Sequence, residues 1–334
     1  MVEYPRTLME LETQFASEQA CRDYLFTLRW PEGFICPQCQ AACTPWPMAR
    51  GLWLCPACRH QASVTAGTIF QDTHLPLTLW FRAIWHVTSQ KNGASALGVQ
   101  RVLGLGSYQT AWAWLHKLRR AMVRPGREKL SGLVEVDETY LGGLADNMDV
   151  CSRTNKALVV VAAEADGKAI GRIRLRQAAD ATSDSLRGFI EQAVEEGTVV
   201  RTDGGRGYSF LEQSNYRHEV MVIGRGHRNR QQAPTLLPRV HRVASLLKRW
   251  LLGTHQGAVR HPHLDYYLDE FVFRFNRRTS ASRGKLFYRL IQQAAQVDPA
   301  PYKTLIHLPP TGDGDLTLVF YVSGFITIPV ASFG

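Results

Sequence analysis

Hydrophobic and polar positions follow two different periods along the chain, and the change falls near residue 132. Before it, apolar residues recur at helical spacing over 8–29, 77–91 and 94–122. After it come apolar runs of strand length, LVEVDETYLGG, ALVVVAAEADG, GRIRLRQAAD and GTVVRTDGG, with one helical stretch, SDSLRGFIEQAVEEG, before the last. Helical spacing returns at 239–252 and 263–278. This order of elements predicts a mixed α/β domain that follows a helical region.

A loop-like segment rich in Pro and Cys separates the first two helical stretches. It contains two CxxC pairs fifteen residues apart, Cys36 with Cys39 and Cys55 with Cys58. This spacing is typical of a closed four-cysteine Zn²⁺ site, whose role is structural because no position is left for water. Reduced structural cysteines without metal would not explain the doubled pair. Cys43 and His60 lie nearby and are interpreted as bystanders.

The charge of the chain indicates an anionic partner. Lys and Arg exceed Asp and Glu by 39 to 29, a net charge of +10, and nucleic acid is the commonest partner of so basic a protein. A basic surface kept for solubility is the alternative. Neither a signal peptide nor an apolar run of membrane-helix length is present, which predicts a cytoplasmic protein, on the nucleoid when bound to DNA.

Two of the strand-like runs end in an aspartate followed by glycines. Asp137 closes the first run and Asp203 closes GTVVRTDGG. Functional sites gather at strand ends in α/β sheets, and paired carboxylates suit Mg²⁺ or Mn²⁺. Either aspartate alone is also a common turn residue. Glu138 alternates to the other face of its strand, whereas Glu135 shares the face of Asp137 but lies further in.

The stretch VHRVASLLKRWLL, residues 240–252, is an amphipathic helix close to the second aspartate in sequence. Its apolar stripe consists of Val243, Leu246, Leu247, Trp250 and Leu251. At helical spacing His241, Ser245 and Lys248 fall on the opposite side, within roughly 60° of one another. The pattern is consistent with one metal ligand and one phosphate contact. Residues 201–250 carry ten Lys/Arg against three Asp/Glu, as a phosphodiester substrate requires.

The segment GASALGVQRVLGLGSYQTAWAWLHKLRRAM has the spacing of helix, turn and helix. The expected buried face carries Leu115, Leu118 and Met122, and the cations expected outside it are Lys117, Arg119 and Arg120. Such a pair could place its second helix in a DNA groove. The alternative is a plain helical connector with a solvated basic face.

These segments together resemble bacterial insertion-sequence transposases that carry an N-terminal zinc ribbon and an RNase-H-like, DDE-type catalytic domain. The resemblance covers roughly 8–295 and rests on RWPEGFICPQC, CPACRHQASVTAGTIF, VDETYLGG, RTDGGRGY, SLLKRWLLGTH and HLDYYLDEFVFRFNRR. The domains expected from it are an N-terminal helix (1–30), a zinc ribbon (31–70), a helix-turn-helix-like region (76–123), an RNase-H-like domain (130–295) and a tail of unknown role (296–334).

The resemblance implies that Asp137 and Asp203 are the first two metal-binding acids and that Lys248 matches a catalytic lysine. The third acid is replaced by His241, as in a subgroup of these proteins, and Glu270 is the rival third ligand. It further implies cleavage and joining of double-stranded DNA at element ends with two Mg²⁺ or Mn²⁺ ions, by a homo-oligomer on DNA. A zinc-ribbon regulator without catalysis and a metal-dependent nuclease remain as alternatives.

Overall fold

The computed structural model describes residues 3–124, 126–142, 156–221, 236–306 and 317–318. They form two compact units. The first comprises the described parts of Met1–Glu128 and Asp265–Pro309, and the second comprises those of Lys129–Leu264 together with Thr317–Leu318. No helix among these residues is long and apolar enough to cross a membrane.

The helices are α1 Leu8–Gln14, α2 Glu18–Arg29, α3 Leu77–Ser89, α4 Ala96–Leu103, α5 Tyr108–Ala121, α6 Ser183–Ala193, α7 Pro238–His255, α8 Leu264–Phe275, α9 Arg283–Ala294 and α10 Tyr302–Ile306. The strands are β1 Trp46–Met48, β2 Leu52–Leu54, β3 Gln61–Ser63, β4 Leu133–Leu141, β5 Ala157–Asp166, β6 Ala169–Ala178, β7 Val199–Thr202, β8 Arg217–Val220, β9 Val259–Arg260 and β10 Thr317–Leu318. Short 3-10 helices cover Ala49–Gly51, Arg206–Gln213 and His261–His263.

The first unit is a helical body with a small sheet attached. Its apolar core is aromatic: Trp80 stacks on Trp114 with ring centroids 3.9 Å apart, and Phe81 and Phe287 are fully buried. The antiparallel sheet β1-β2-β3 carries the second CxxC pair just beyond β2. Segment 8–29 is two helices rather than the predicted one, because the Ser17 side chain caps a new start by accepting a hydrogen bond from the Ala20 N–H.

The second unit is built on a mixed five-stranded sheet of order β6-β5-β4-β7-β8. Strands β4, β5 and β6 are antiparallel, whereas β7 runs parallel to β4 and β8 runs parallel to β7. One face of β4 and β5 packs against α6 through Val134, Val136 and Val160. Helix α7 packs on the opposite face of the same two strands. There it contacts Glu135 and Asp137, which alternate along β4 with the valines that face α6. The α/β class predicted from the sequence is therefore confirmed.

The structure corrects the predicted strand end at Asp137. Strand β4 continues through Asp137 to Leu141, and Asp137 is paired with Val161 of β5 inside the ladder. Asp203 does follow its strand directly, since β7 ends at Thr202. Apart from Thr317–Leu318, which pairs with β9, the tail from 310 onward lies outside the described residues.

Candidate functional site

Four cysteine sulfurs of the first unit lie close together. The ligand atoms of Cys36, Cys39, Cys55 and Cys58 are all within 4.8 Å of one another, with Sγ–Sγ distances of 3.6 Å for Cys36–Cys58 and 3.8 Å for Cys39–Cys55. A tetrahedral Zn²⁺ with bonds of about 2.3 Å places its sulfurs about 3.8 Å apart. The observed spacing therefore fits Zn²⁺. The Sγ of Cys43 is also 3.8 Å from that of Cys55, but Cys43 is not part of the four-membered group.

In the second unit, α7 places a histidine beside an aspartate of β4. The Nδ1 of His241 lies 3.8 Å from Oδ2 of Asp137, and the two side chains are 37% and 18% exposed. The other oxygen of Asp137 accepts a hydrogen bond from the Glu138 N–H at 2.9 Å. One carboxylate oxygen is thus held by the backbone while the other faces the imidazole.

Asp203 is brought to the same place by the parallel pairing of β4 and β7. That pairing matches Leu133 with Val199 and Glu135 with Arg201, and the same offset brings Asp203 level with Asp137. Asp203 is exposed, and its Oδ1 accepts a hydrogen bond from the Gly205 N–H at 2.9 Å.

The glycine after Asp203 is required by the backbone. Gly204 has a φ of +77°, in the left-handed region that favours glycine. A Cβ there would also collide with a methyl carbon of Val220 on β8. The first glycine after Asp203 is therefore explained by its backbone conformation and by the close approach of β8.

The surroundings of Asp137 raise the pKa of its carboxyl group. Burial is the largest cause, and together with the negative charge of Asp203 it raises the pKa of Asp137 from 3.8 to about 6. Both effects disfavour the charged form. A bound divalent cation would reverse them, because it neutralises both carboxylates at once.

Glu138 lies on the opposite face of β4, as strand alternation predicted. It faces the buried ring of Tyr208, and burial, together with the charges of Asp137 and Asp203, raises its pKa. Burial also raises the pKa of Tyr208, with the charge of Glu138 as the next cause. Glu138 is close enough to interact with the two aspartates, although it does not point towards α7.

Glu135, which the sequence left as a weaker ligand candidate, is engaged elsewhere. Its side chain is fully buried and its carboxylate forms an ion pair with Arg239, with 2.7 Å between Oε1 and Nη1. The backbone N–H groups of Arg239 and Val240 also donate to it, at 2.7 and 3.2 Å. Both oxygens are thus used in holding the start of α7. The sequence offered one signal for this, an acid inside an apolar strand, which must find a partner when buried.

Lys248 and His241 flank the buried stripe of α7 rather than lying opposite it. The buried positions are Val240, Val243, Leu247 and Leu251, whereas His241 and Lys248 are half-buried. Burial lowers the pKa of Lys248, and the positive charge of nearby Lys156 lowers it further. Two cations side by side favour the binding of an anion such as a phosphodiester. Sequence reasoning did not single out Lys156, because only the fold brings the start of β5 to α7.

Glu270, the rival third ligand, belongs to the first unit and is fully buried. Its Oε2 accepts a hydrogen bond from Arg119 Nε at 2.8 Å, and its Oε1 accepts one from Arg274 Nη2 at 2.7 Å. Arg274 also donates to the carbonyl oxygens of Val87 and Gln90. Because both oxygens are held by arginines, Glu270 ties α8 to α5 and α3, and no oxygen is left for an ion.

The predicted basic face of α5 is partly wrong. Arg119 is buried, with its guanidinium 3.9 Å from the ring centroid of Tyr267, while Lys117 and Arg120 are half-buried. The exposed part of this helix is its first turn, where Tyr108 is 51% exposed. A recognition helix reads bases with its N-terminal residues, so only this end of α5 remains suited to a DNA groove.

The residues at the end of β7 and on β4 and α7 fit a hard divalent ion. They comprise two carboxylates and one imidazole, a donor set suited to Mg²⁺ or Mn²⁺. Of the groups of His, Cys, Asp and Glu among the described residues, only the four cysteines have all their ligand atoms close enough together to share one ion as they stand. The 3.8 Å approach of His241 to Asp137, with Asp203 near enough for its charge to act on Asp137, is the arrangement that favours a cation there.

Comparisons with known proteins match both parts of the chain in which these residues lie. A family model described as a transposase zinc-ribbon domain matches residues 16–61, and one described as an ISXO2-like transposase domain matches 129–276. The chain is 27% identical over 307 residues to an uncharacterized protein in transposable element ISH50 of Halobacterium salinarum, covering 86% of this chain and all of that protein. The first match contains the four cysteines, and the second contains Asp137, Asp203, His241 and Lys248. The chain therefore carries a transposase zinc-ribbon domain over 16–61 and an ISXO2-like, DDE-type transposase domain over 129–276.

Proposed function

We propose that this transposase cleaves double-stranded DNA at the ends of its insertion sequence and joins those ends to target DNA, using Asp137, Asp203 and His241 to hold divalent ions. The observation that carries the proposal is the 3.8 Å approach of His241 to Asp137, at the place where the charge of Asp203 also acts on Asp137. When bound, Mg²⁺ or Mn²⁺ would polarise the phosphodiester and neutralise the charge that develops during the reaction.

The side chains of the site have distinct roles in this proposal. Asp137 and Asp203 provide the negative charge that attracts the ions, and the neutral His241 provides a nitrogen ligand. Lys248, with Lys156 beside it, contacts the phosphate to be cleaved. Water attacks the phosphorus and the bond to the 3′ oxygen breaks, leaving a 3′-hydroxyl. That hydroxyl then attacks a target phosphodiester, forming one P–O bond as another breaks and its proton passes to solvent.

The zinc ribbon and the exposed first turn of α5 are proposed to recognise the element ends. The ribbon spans 31–70 and the helical pair lies within 76–123, followed by a catalytic domain over 130–295. The compact unit of the structure that carries Asp137, Asp203 and His241 comprises the described parts of Lys129–Leu264 together with Thr317–Leu318. Because transposition brings two DNA ends together, we propose that the protein acts as a homo-oligomer on DNA.

A strand-transfer assay tests the proposal. Duplexes made from the inverted repeats that flank the gene are incubated with target DNA and Mg²⁺ or Mn²⁺, and the products are separated on a denaturing gel. We expect joined molecules from the wild-type protein and none from Asp137→Asn or Asp203→Asn. Cleavage without joining would indicate a nuclease. Binding without either product would indicate a regulator, and joining by either variant would refute the assignment of that aspartate.

A further inference from the structure

Helix α7 receives its N-terminal cap from another element. Its first residue is Pro238, which has no N–H, and the side chain of Leu237 at the cap position makes no capping hydrogen bond. The next two N–H groups, of Arg239 and Val240, donate instead to the carboxylate of Glu135 on β4. A carboxylate at this end of a helix satisfies N–H groups that have no partner within the helix and faces the positive end of its dipole.

The side chain of Arg239 extends this contact to a third element. Its Nη1 is 2.7 Å from Glu135 Oε1, while its Nη2 and Nε donate to the carbonyl oxygens of Gly167 and Ala169 at 2.7 and 3.2 Å. Gly167 lies in the turn between β5 and β6, and Ala169 is the first residue of β6. Arg239 therefore connects β4, the start of α7 and the β5–β6 turn, and Glu135 is its buried counter-charge.

The contact between Glu135 and Arg239 lies next to the proposed metal ligands on both β4 and α7. Glu135 and Asp137 lie two residues apart on the same face of β4, and Arg239 and His241 lie two residues apart at the start of α7. One strand thus carries a proposed metal ligand and also holds the helix that carries another. A slip of α7 by one residue would move His241 by about 1.5 Å and turn it by about 100°, whereas metal–ligand distances vary by only about 0.2 Å.

We propose that Glu135 is a positioning residue, which fixes the start of α7 so that the imidazole of His241 stands opposite Asp137 and the divalent ion is bound tightly. This inference rests on the proposed function insofar as Asp137 and His241 hold an ion. Glu135 itself holds no ion, because both its oxygens are occupied by α7. It acts through the helix.

The same unit contains a matched ion pair that should lack this effect. Glu164 on β5 accepts hydrogen bonds from Arg172 on β6, at 2.9 Å from Nε and 2.7 Å from Nη2, and from the Ser131 N–H at 3.0 Å. Like Glu135 it is a carboxylate of the sheet bound by one arginine and by backbone N–H groups. Unlike Glu135 it makes no hydrogen bond to α7 in the part of the chain that is described.

The test compares Glu135→Gln with Glu164→Gln in the full-length, zinc-loaded protein. Mn²⁺ binding is measured from the electron paramagnetic resonance signal of free Mn²⁺, and stability is measured by thermal unfolding without added ion. We expect Glu135→Gln to weaken Mn²⁺ binding about tenfold or more, the usual effect of losing a group that orients a ligand. We expect Glu164→Gln to change it less than about twofold at a similar loss of stability.

A second readout is independent of any ion. The side-chain nitrogen signals of His241, assigned by their absence in His241→Ala, should move in Glu135→Gln and stay in place in Glu164→Gln. If Glu135→Gln does not fold, Glu135→Asp replaces it, since it keeps the charge and shortens the reach by one methylene.

The outcomes separate this inference from the proposed function. Wild-type Mn²⁺ affinity and unmoved His241 signals in a folded Glu135 variant would overturn the positioning role alone, as would equal losses in the Glu164 variant. Equal Mn²⁺ binding by the wild type and by Asp137→Asn would instead overturn the ion site, and with it the proposed function.

Discussion

The imidazole of His241 lies 3.8 Å from the carboxylate of Asp137, and the helix that carries this histidine begins at the carboxylate of Glu135 two residues earlier in the same strand. Strand β4 thus supplies one side of the site and positions the other. Glu270, the rival of His241 as third ligand, has both carboxylate oxygens bound by Arg119 and Arg274.

The first prediction concerns the third ligand. His241→Ala should abolish DNA joining while leaving the fold intact, because the imidazole is half-exposed. Glu270→Gln should join DNA at temperatures where it is folded, but should lose about 3–5 kcal/mol of stability, because it disrupts buried ion pairs. Both variants are compared by strand transfer and by circular dichroism on heating. Joining by the histidine variant, with none by the folded glutamine variant, would reverse the assignment.

The second prediction concerns ion preference. A neutral imidazole leaves the protein ligands with a charge of −2, whereas His241→Glu would bring it to −3, and nitrogen suits Mn²⁺ better than Mg²⁺. The wild type should therefore favour Mn²⁺ over Mg²⁺ more strongly than His241→Glu does. The ratio of joining rates in the two ions, measured at saturating ion concentration, checks this. An unchanged ratio in an active variant would argue against His241 as a ligand.

The third prediction concerns pH and stability. The pKa of Asp137 rises from 3.8 to about 6 on folding, so the folded state retains a proton that the unfolded chain has lost. The contribution of protonated Asp137 to the free energy of unfolding is present below about pH 4 and is lost as the pH rises through about 6. Asp137→Asn should therefore stabilise the ion-free protein at pH 8 by at most roughly 3 kcal/mol, and not below pH 4. Urea unfolding across this range checks it, and a benefit that grows towards acid pH would contradict it.

The fourth prediction concerns the zinc ribbon. The purified protein should contain about one Zn²⁺ per chain, and Cys36→Ser should lose it, unfold the ribbon and weaken specific DNA binding while the second unit stays folded. Cys21→Ala is the control, because Cys21 is buried outside the cluster and burial raises its pKa to about 12. Metal analysis of both proteins decides the matter. Absence of zinc from reduced wild-type protein that never met a chelator would refute the site.

The fifth prediction concerns the two lysines near the site. Lys248→Gln and Lys156→Gln should each weaken DNA binding without divalent ion and reduce the slope of log affinity against log salt by about 0.9, the value for one phosphate contact. Lys168→Gln, an exposed lysine in the β5–β6 turn, is the control and should leave the slope unchanged. Fluorescence anisotropy at several salt concentrations measures it. Equal effects of all three substitutions would indicate that these lysines act only through the overall positive charge of the protein and not through a phosphate contact at the site.

Local patterns in the sequence were sufficient for the zinc ribbon and for most helices and strands. The two CxxC pairs predict a closed four-sulfur site because all four ligands lie within a short segment. The alternation along 133–141 correctly placed Glu138 and Asp137 on opposite faces, since that follows from the period of two alone. The order of strands and helices likewise indicated the α/β class.

The tertiary structure decided everything that depends on partners distant in the chain. Periodicity put Arg119 on a solvated face, yet Glu270 supplies a buried counter-charge that draws it inward. A strand end was predicted at Asp137, but pairing with Val161 continues the strand through it. The approach of His241 to Asp137 requires β4 and α7 to pack together, and the sequence of neither element contains that information. Whether an acid in an apolar strand binds an ion or caps a helix depends on what the fold places against it, as Glu135 and Asp137 demonstrate on one strand.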